Sequence, residues 1–110
     1  MIDISNIKNI DWSNTKVSVL GAGKSGIAAT NLALSIGAHV LMSEHGDSVN
    51  IPTTRNLDVE TGGHSDKVLD ADVIIISPGI SDKIDVVQKC TNLKIPIVSE
   101  IEFSSWFTTS

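Results

Sequence analysis

Cysteine is nearly absent from this sequence, because the 110-residue chain has only Cys90 and therefore no internal disulfide. That composition fits a reducing, cytoplasmic setting. Cys90 lies in an apolar helical pattern and is predicted to fill the core rather than to act as a nucleophile. No apolar run approaches the roughly 18 residues of a membrane-spanning helix. The sequence thus predicts no membrane partner, and its first residues lack the pattern of a signal peptide.

Basic residues are also scarce, with 8 Lys and Arg against 13 Asp and Glu and a net charge of −5. A nucleic-acid partner is therefore excluded, since phosphate backbones require a basic surface. The three histidines and the single cysteine are not at metal-ligand spacing, which predicts no metal site. Tyrosine is missing altogether, and three of the four aromatic residues crowd the end of the chain.

What the chain does have is a glycine-rich turn, Gly21-Ala22-Gly23-Lys24-Ser25-Gly26. Lys16 to Leu20 precedes it and is predicted to be a strand, and the Ala- and Leu-rich segment after it is predicted to be a helix. Gly21 allows a sharp turn, Gly23 allows a phosphate to approach the backbone, and Gly26 allows close packing of helix on strand. The free N–H groups and the dipole of the helix N-terminus then favour an anion.

An acidic residue follows at the spacing that a nucleotide site requires. Glu44 ends a second apolar stretch, His39 to Ser43, and can accept hydrogen bonds from a ribose hydroxyl or a base N–H. The Gly23-Lys24-Ser25 triplet invites comparison with an ATP-binding P-loop. Ser18 stands where that motif needs its first glycine, so the P-loop interpretation is rejected.

The remaining pattern alternates short strands with helices. Val73 to Ile76 is apolar at every position, which indicates a strand covered on both faces. The sequence predicts a Rossmann-like, doubly wound, mostly parallel sheet of about five strands with helices on both faces. Residues 1–15 are predicted to be an N-terminal appendage and 16–110 the nucleotide-binding domain. Further expected elements are a helix from Ser25 to Ile36 that stops at Gly37, a good C-cap residue, and strands at 57–61 and 96–98. A helix capped by Ser81 or Asp82 and a last helix capped by Ser99 complete the pattern.

Ser77-Pro78-Gly79-Ile80 follows the buried strand directly. Ligands bind at the carboxyl ends of strands in open α/β sheets, so this turn is a candidate ligand contact. A plain Pro-Gly turn with only a structural role fits the same spacing equally well.

Five motifs in order resemble the N-terminal domain of the Mur ligases, in the branch that adds D-glutamate. They are Gly21 to Gly26, Ser43-Glu44, Thr61-Gly62-Gly63-His64-Ser65, Ser77 to Ile80, and Ile97 to Glu102. The resemblance implies a three-domain cytoplasmic enzyme of peptidoglycan synthesis. Such an enzyme uses ATP and Mg²⁺ to form an acyl phosphate on UDP-MurNAc-L-alanine, which D-glutamate attacks to give an amide. The implied partners of this chain are that substrate and the central and C-terminal domains.

By the same resemblance, this domain holds the UDP moiety and carries no catalytic residue, no metal ligand and no cofactor of its own. We therefore expect the 110 residues alone to be inactive as a ligase. The implied UDP-binding residues are Gly23, Lys24, Ser25, Gly26, Glu44, His45, Ser77, Pro78 and Gly79. The sequence departs from the family pattern at two positions: Glu44 stands where the family usually has Asp, and no arginine follows His45. The resemblance therefore supports the contacts to uracil less strongly than the contacts to the diphosphate.

Two other functions remain open at this point. The glycine-rich turn and Glu44 suit an NAD-binding domain of an oxidoreductase, with Glu44 on the adenosine ribose, although Ser77 to Ile80 then has no role. A regulatory nucleotide sensor that dimerises through an exposed aromatic end is the third interpretation.

Overall fold

The computed structural model describes residues 9–49, 51, 54–81 and 83–107, and these form a five-stranded parallel sheet in the order β3-β2-β1-β4-β5. This confirms the predicted fold class. The strands are β1 Lys16–Leu20, β2 His39–Ser43, β3 Leu57–Glu60, β4 Val73–Ile76 and β5 Ile97–Ser99. The helices are α1 Lys24–Ser35, α2 Asp85–Asn92 and α3 Glu100–Ser105, with 3₁₀ turns at Trp12–Asn14 and Asp66–Leu69.

The central strand β1 pairs with β2 on one side and with β4 on the other. The chain first moves outward through β2 and β3, then returns across β1 to build β4 and β5. The order therefore reverses between β1 and β4, and the crevice outside this point is where open α/β sheets bind ligands. None of the helices in the described ranges is long and apolar enough to cross a membrane.

Side chains alternate between two cores, one on each face of the sheet. In the first core, on one face of the sheet, Val73 and Ile75 pack with α1 and α3. In the second core, on the other face, Ile74 packs with α2 and the Asp66–Leu69 turn. Because helices cover both faces of β4, its unbroken apolar run is explained as predicted. The edge strand β3 differs, since Leu57 is buried whereas Val59, on the same face of the strand two residues later, is 44% exposed.

The aromatic residues pack against one another. Phe103 is fully buried, and its ring lies 5.8 Å from that of Trp12 and 5.2 Å from that of Phe107. Trp106 joins the same cluster, 5.7 Å from Phe103. Since these rings cover each other and the first core, the exposed aromatic end on which the sensor interpretation depended is not present. Trp12 belongs to this core, and Ile10 packs against it. The sequence also predicts one short amphipathic turn of Ile4, Ile7 and Ile10 above Trp12, but Ile4 and Ile7 lie outside the described residues.

Two of the predicted helix ends are confirmed in detail. At the end of α1, Gly37 has φ +94°, its N–H donates to Leu34 O, and Ala38 N–H donates to Ala33 O. That pair of bonds is the Schellman motif, in which glycine is the preferred residue directly after the C-cap. At the start of α3, the Ser99 hydroxyl accepts from Glu102 N–H at 3.0 Å, as expected of an N-cap serine.

The predicted cap of α2 is wrong for Ser81. The N-cap residue is Ile84, without a side-chain cap, and Ser81 Oγ accepts instead from Lys83 N–H at 3.1 Å. Ile84 packs against the second core, so burial of its side chain decides where the helix begins. Asp82, the other candidate cap, lies outside the described residues.

We expect Lys94→Gly to stabilise the fold. Lys94 has φ +60° at the end of α2, where its N–H and that of Ile95 close a second Schellman motif on Thr91 and Cys90. A Cβ costs about 1–2 kcal/mol in this region, and the greater chain entropy of glycine offsets part of the gain. Urea unfolding should give a free energy of unfolding higher by about 0.5–1 kcal/mol. Lys94→Ala, which keeps the Cβ, should give no gain; an equal gain would assign the effect to the lysine charge.

Candidate functional site

Three segments meet at the carboxyl edge of the sheet: the glycine-rich turn after β1, Glu44 and His45 after β2, and Ser77 to Ile80 after β4. Hydrogen bonds join them, since Gly21 N–H donates to Ser43 O at 2.8 Å and Ser77 N–H donates to Leu20 O at 3.1 Å. All nine sequence-predicted site residues therefore lie on segments that follow three neighbouring strands, β2, β1 and β4, and the strand order reverses between the last two. This is the arrangement that the spacing required of a nucleotide site.

The three glycines of the turn differ in what the fold demands of them. Gly21 has φ +99°, and a Cβ there would lie 2.9 Å from Ser77 Oγ. A Cβ on Gly26 would lie 1.8 Å from Gly21 O, so the helix packs against the turn only because that atom is missing. Gly23 has φ −71° and ψ −173°, which any residue adopts, and no atom lies within 4 Å of a Cβ built on it. Folding therefore requires Gly21 and Gly26 but not Gly23.

The N-terminus of α1 is left without a side-chain cap. Gly23 is the N-cap residue, and its carbonyl accepts the first helical hydrogen bond from Ile27 N–H at 2.9 Å. The N–H groups of Lys24, Ser25 and Gly26 precede that bond and have no acceptor within the helix. With the helix dipole they form a cradle for an anion at the surface.

Glu44 is bound to the glycine-rich turn. Its Oε1 accepts from Ala22 N–H at 2.9 Å, and its Oε2 accepts from Gly46 N–H at 3.2 Å. The carboxylate therefore orders the turn from the side of β2. Each of its oxygens retains a lone pair for a further donor. His45, the next residue, is exposed.

Ser77 lies under the glycine-rich turn rather than at its surface. Its Oγ is buried, faces Gly21 and Gly26, and has no hydrogen-bond partner among the described residues. Its carbonyl accepts from Ile80 N–H at 3.0 Å, which closes the Pro78-Gly79 turn. Pro78 and Gly79 are exposed, and a Cβ on Gly79 would meet nothing within 4 Å. As at Gly23, packing does not explain the glycine.

A polar network lies beside Glu44, at the ends of β2 and β3. The buried Ser43 Oγ lies 2.5 Å from Glu60 Oε2 and 2.7 Å from His64 Nδ1. Glu60 also accepts from the N–H of Ser65 at 2.9 Å and from its hydroxyl at 2.5 Å. The sequence leaves two interpretations of His64 open, a residue that faces the ligand edge and, as the favoured one, a solvated loop histidine. The contact with Ser43 and the partial burial of the ring place His64 in the network and not free in solvent.

The network shifts both of its titratable groups. Partial burial alone would raise the pKa of Glu60, but the hydrogen bonds from Ser43 and Ser65 outweigh it and lower that pKa below its usual value. Partial burial lowers the pKa of His64, against the opposing attraction of the Glu60 carboxylate. Glu60 is thus ionised and His64 neutral near pH 7.

A groove of about 950 Å³ lies elsewhere, along β1, β2 and β3. Lys16 and His39, at the amino ends of their strands, line it, whereas the glycine-rich turn, Glu44 and Ser77 do not. The candidate site is therefore an open edge of the sheet and not this groove.

Sequence reasoning missed the roles of Ser43, Glu60 and Ser65. The one available signal was a polar residue at the end of each of two adjacent strands, because parallel strand ends meet at one edge. Nothing in the sequence indicates that Glu60 faces Ser43, since the two are joined only through the register of β2 and β3.

The family model and the most similar curated relatives point to the same protein family. The family model of the MurD N-terminal domain matches residues 16–86. The UDP-N-acetylmuramoylalanine–D-glutamate ligase of Chlorobium luteolum is 45% identical over 105 residues, which cover 92% of this chain and 23% of that protein. The enzyme of the same name from Elusimicrobium minutum is 47% identical over 102 residues, covering 91% and 22%. The chain thus spans less than a quarter of the length of these relatives.

Among solved structures, the UDP-N-acetylmuramate-alanine ligase MurC of Thermotoga maritima matches with a TM-score of 0.60. The match covers 83% of this chain and 22% of that one, at 22% sequence identity. At that identity the likeness establishes a shared fold.

Proposed function

The chain belongs to the MurD N-terminal domain family, and we therefore propose that it holds the UDP moiety of UDP-MurNAc-L-alanine. In this proposal it is the first domain of a cytoplasmic ligase that adds D-glutamate to that substrate in peptidoglycan synthesis. The names of its relatives favour the ligase over the oxidoreductase interpretation.

The observation that carries the proposal is Gly23. Neither the backbone angles nor packing requires a glycine at position 23. The residue faces open space at the start of α1, which has no side-chain cap. A missing side chain leaves room for a diphosphate oxygen to reach the N–H groups of Lys24, Ser25 and Gly26. The negative charge of the chain does not oppose this contact, since backbone donors and the helix dipole supply the attraction.

We propose that the other site residues surround the uridine half. Glu44 lies between the diphosphate and the uridine. Its carboxylate accepts a hydrogen bond from Ala22 N–H in the glycine-rich turn and keeps lone pairs for a donor of the nucleoside. His45 and the exposed Pro78-Gly79 turn border the same edge, and Gly79 leaves its backbone open to the ligand. Ser77 acts from below by supporting the glycine-rich turn.

ATP and Mg²⁺ are assigned to the rest of the full-length enzyme. In the part of the chain that the structure describes, no group of three or more His, Cys, Asp or Glu side chains could hold a metal ion. In this proposal the residues of this chain take no part in the ligation step, and inactivity of the 110-residue chain by itself stays a prediction. The central and C-terminal domains would supply the phosphate chemistry and the D-glutamate site.

Amide chemical-shift mapping with UDP and with NAD tests the proposal. We expect UDP to shift the amides of Gly21 to Gly26 and of Glu44, with a dissociation constant of about tens of micromolar or weaker, or roughly −6 kcal/mol. NAD should produce smaller shifts at the same concentration. Larger shifts with NAD at the glycine-rich turn would reverse the assignment in favour of an oxidoreductase domain.

Lys24→Ala should weaken UDP binding only modestly. The lysine is exposed at the start of α1, where its charge favours a bound diphosphate but is screened by solvent. We expect a loss of at most about tenfold, or ~1.4 kcal/mol, by calorimetry. Lys67→Ala, an exposed lysine that lines the groove, is the control and should leave UDP affinity unchanged. A hundredfold loss in Lys24→Ala would make the side chain, not the backbone, the main phosphate ligand.

A further inference from the structure

The polar network beside Glu44 sets the positions of its protons. The ionised Glu60 carboxylate can only accept hydrogen bonds, and Ser43 has a single hydroxyl proton. At 2.5 Å, that proton is donated to Glu60 Oε2. Ser43 Oγ can therefore only accept at its 2.7 Å contact with His64, so Nδ1 of His64 carries the proton and donates it. A neutral imidazole has one N–H, so Nε2 is unprotonated and can accept a hydrogen bond.

The segment that carries His64 runs along the candidate site. Gly63 N–H donates to Glu44 O at 3.2 Å, and Gly62 N–H donates to Gly46 O at 2.7 Å. His64 is close enough to Glu44 and His45 for both to influence its charge, as Glu60 does from β3. Within the described chain, Nδ1 makes the only hydrogen bond of this ring, so Nε2 has no protein partner.

We propose that His64 is a specificity residue of the nucleotide site, whose Nε2 accepts a hydrogen bond from the uridine half of the ligand. This inference rests on the proposed UDP-binding function. An acceptor lone pair repels the oxygens of an ionised diphosphate, but it matches the N3–H of uracil or a ribose hydroxyl. Ser43 and Glu60 are then positioning residues, because they hold His64 in the tautomer that can accept.

The same three side chains do not form a hydrolytic triad. In a triad the histidine stands between the nucleophile and the acid and takes the nucleophile's proton. Here Ser43 stands between Glu60 and His64, and its proton goes to the acid. Ser43 is also fully buried, so no substrate can reach its hydroxyl.

Calorimetry on two His64 variants separates the acceptor from the structural contact. His64→Asn keeps an N–H donor near the Nδ1 position for Ser43 but removes Nε2, and we expect about tenfold weaker UDP binding. His64→Gln can present its amide oxygen near the Nε2 position and should recover part of that loss. His39→Asn, an exposed histidine at the start of β2, is the control and should bind UDP like the parent. Equal UDP affinity of His64→Asn and the parent would overturn the inference.

Ligand analogues identify the donor. CDP lacks the N3–H, and the 2′- and 3′-deoxy forms of UDP each lack one hydroxyl. The analogue that loses the contact should bind the parent about tenfold more weakly than UDP, yet should bind His64→Asn as UDP does. If His64→Asn keeps every preference of the parent, His64 does not contact the nucleoside.

Nitrogen-15 chemical shifts of the His64 ring report its tautomer and its contact with the ligand. If the role of His64 were purely structural, UDP would not change the Nε2 shift. In the free protein, Nδ1 of His64 should resonate as a protonated nitrogen and Nε2 as an unprotonated one. UDP should shift the Nε2 resonance. The opposite tautomer, or an Nε2 that does not respond to saturating UDP, would refute the inference while leaving UDP binding intact. Failure of the parent to bind UDP would instead refute the proposed function, and this inference with it.

Discussion

Gly23→Val is expected to abolish UDP binding and to leave the fold in place. The valine side chain would project into the space from which a diphosphate must approach the N–H groups of α1. We expect the affinity to fall at least about hundredfold, or ~2.7 kcal/mol, in calorimetry. Because φ is −71° and no atom lies within 4 Å of the added Cβ, backbone strain is not a competing cause. A less favourable N-cap residue should cost at most about 1 kcal/mol of stability in a thermal melt.

The matched control is Ala28→Val, which adds the same branched side chain at an exposed position of α1, one turn further along. It should bind UDP like the parent, so a loss specific to position 23 reports the ligand and not the helix. If Gly23→Val binds UDP as tightly as the parent, the diphosphate does not lie on this turn and the proposed site is wrong.

Gly26→Ala should have the opposite signature and destabilise the fold severely. The added Cβ would lie 1.8 Å from Gly21 O and 2.8 Å from Gly21 C, and both are backbone atoms that cannot rotate away. Helix α1 would have to move off the turn and lose contacts in the first core, where Ala29 and Ala33 are buried. Overpacking of this kind costs about 3 kcal/mol or more, a large part of the stability of a small domain.

Urea unfolding followed by circular dichroism measures this loss, and absence of any cooperative transition is its extreme form. Gly23→Ala is the comparison, since the same methyl group meets open space there and should shift the midpoint little. A midpoint for Gly26→Ala close to that of the parent would mean that the turn accommodates a Cβ and that its close packing is not needed. Together, the variants at 23 and 26 separate the glycine that serves the ligand from the one that serves the fold.

The sequence by itself determined the fold class, the order of the elements and the edge of the sheet at which the candidate site residues lie. These follow from local signals: the apolar run of Val73 to Ile76, the glycine at 37 that ends α1, the serine cap of α3 and the spacing between the glycine-rich turn and Glu44. Each depends on neighbours in the chain, so periodicity and capping chemistry suffice. The cap of α2 was wrong because burial of Ile84, a tertiary effect, outweighed the local signal at Ser81.

Only the tertiary structure decided what the site residues touch. The bond from Ala22 to the Glu44 carboxylate joins residues 22 positions apart, and the bond from Ser43 to Glu60 depends on the register of two strands. Likewise, the difference between Gly23 and Gly26 lies in the atoms opposite each Cβ, namely none for Gly23 and the carbonyl of Gly21 for Gly26. Distances between segments remote in sequence are set by packing of the whole sheet, so a motif identified the turn but could not assign a role to each of its glycines.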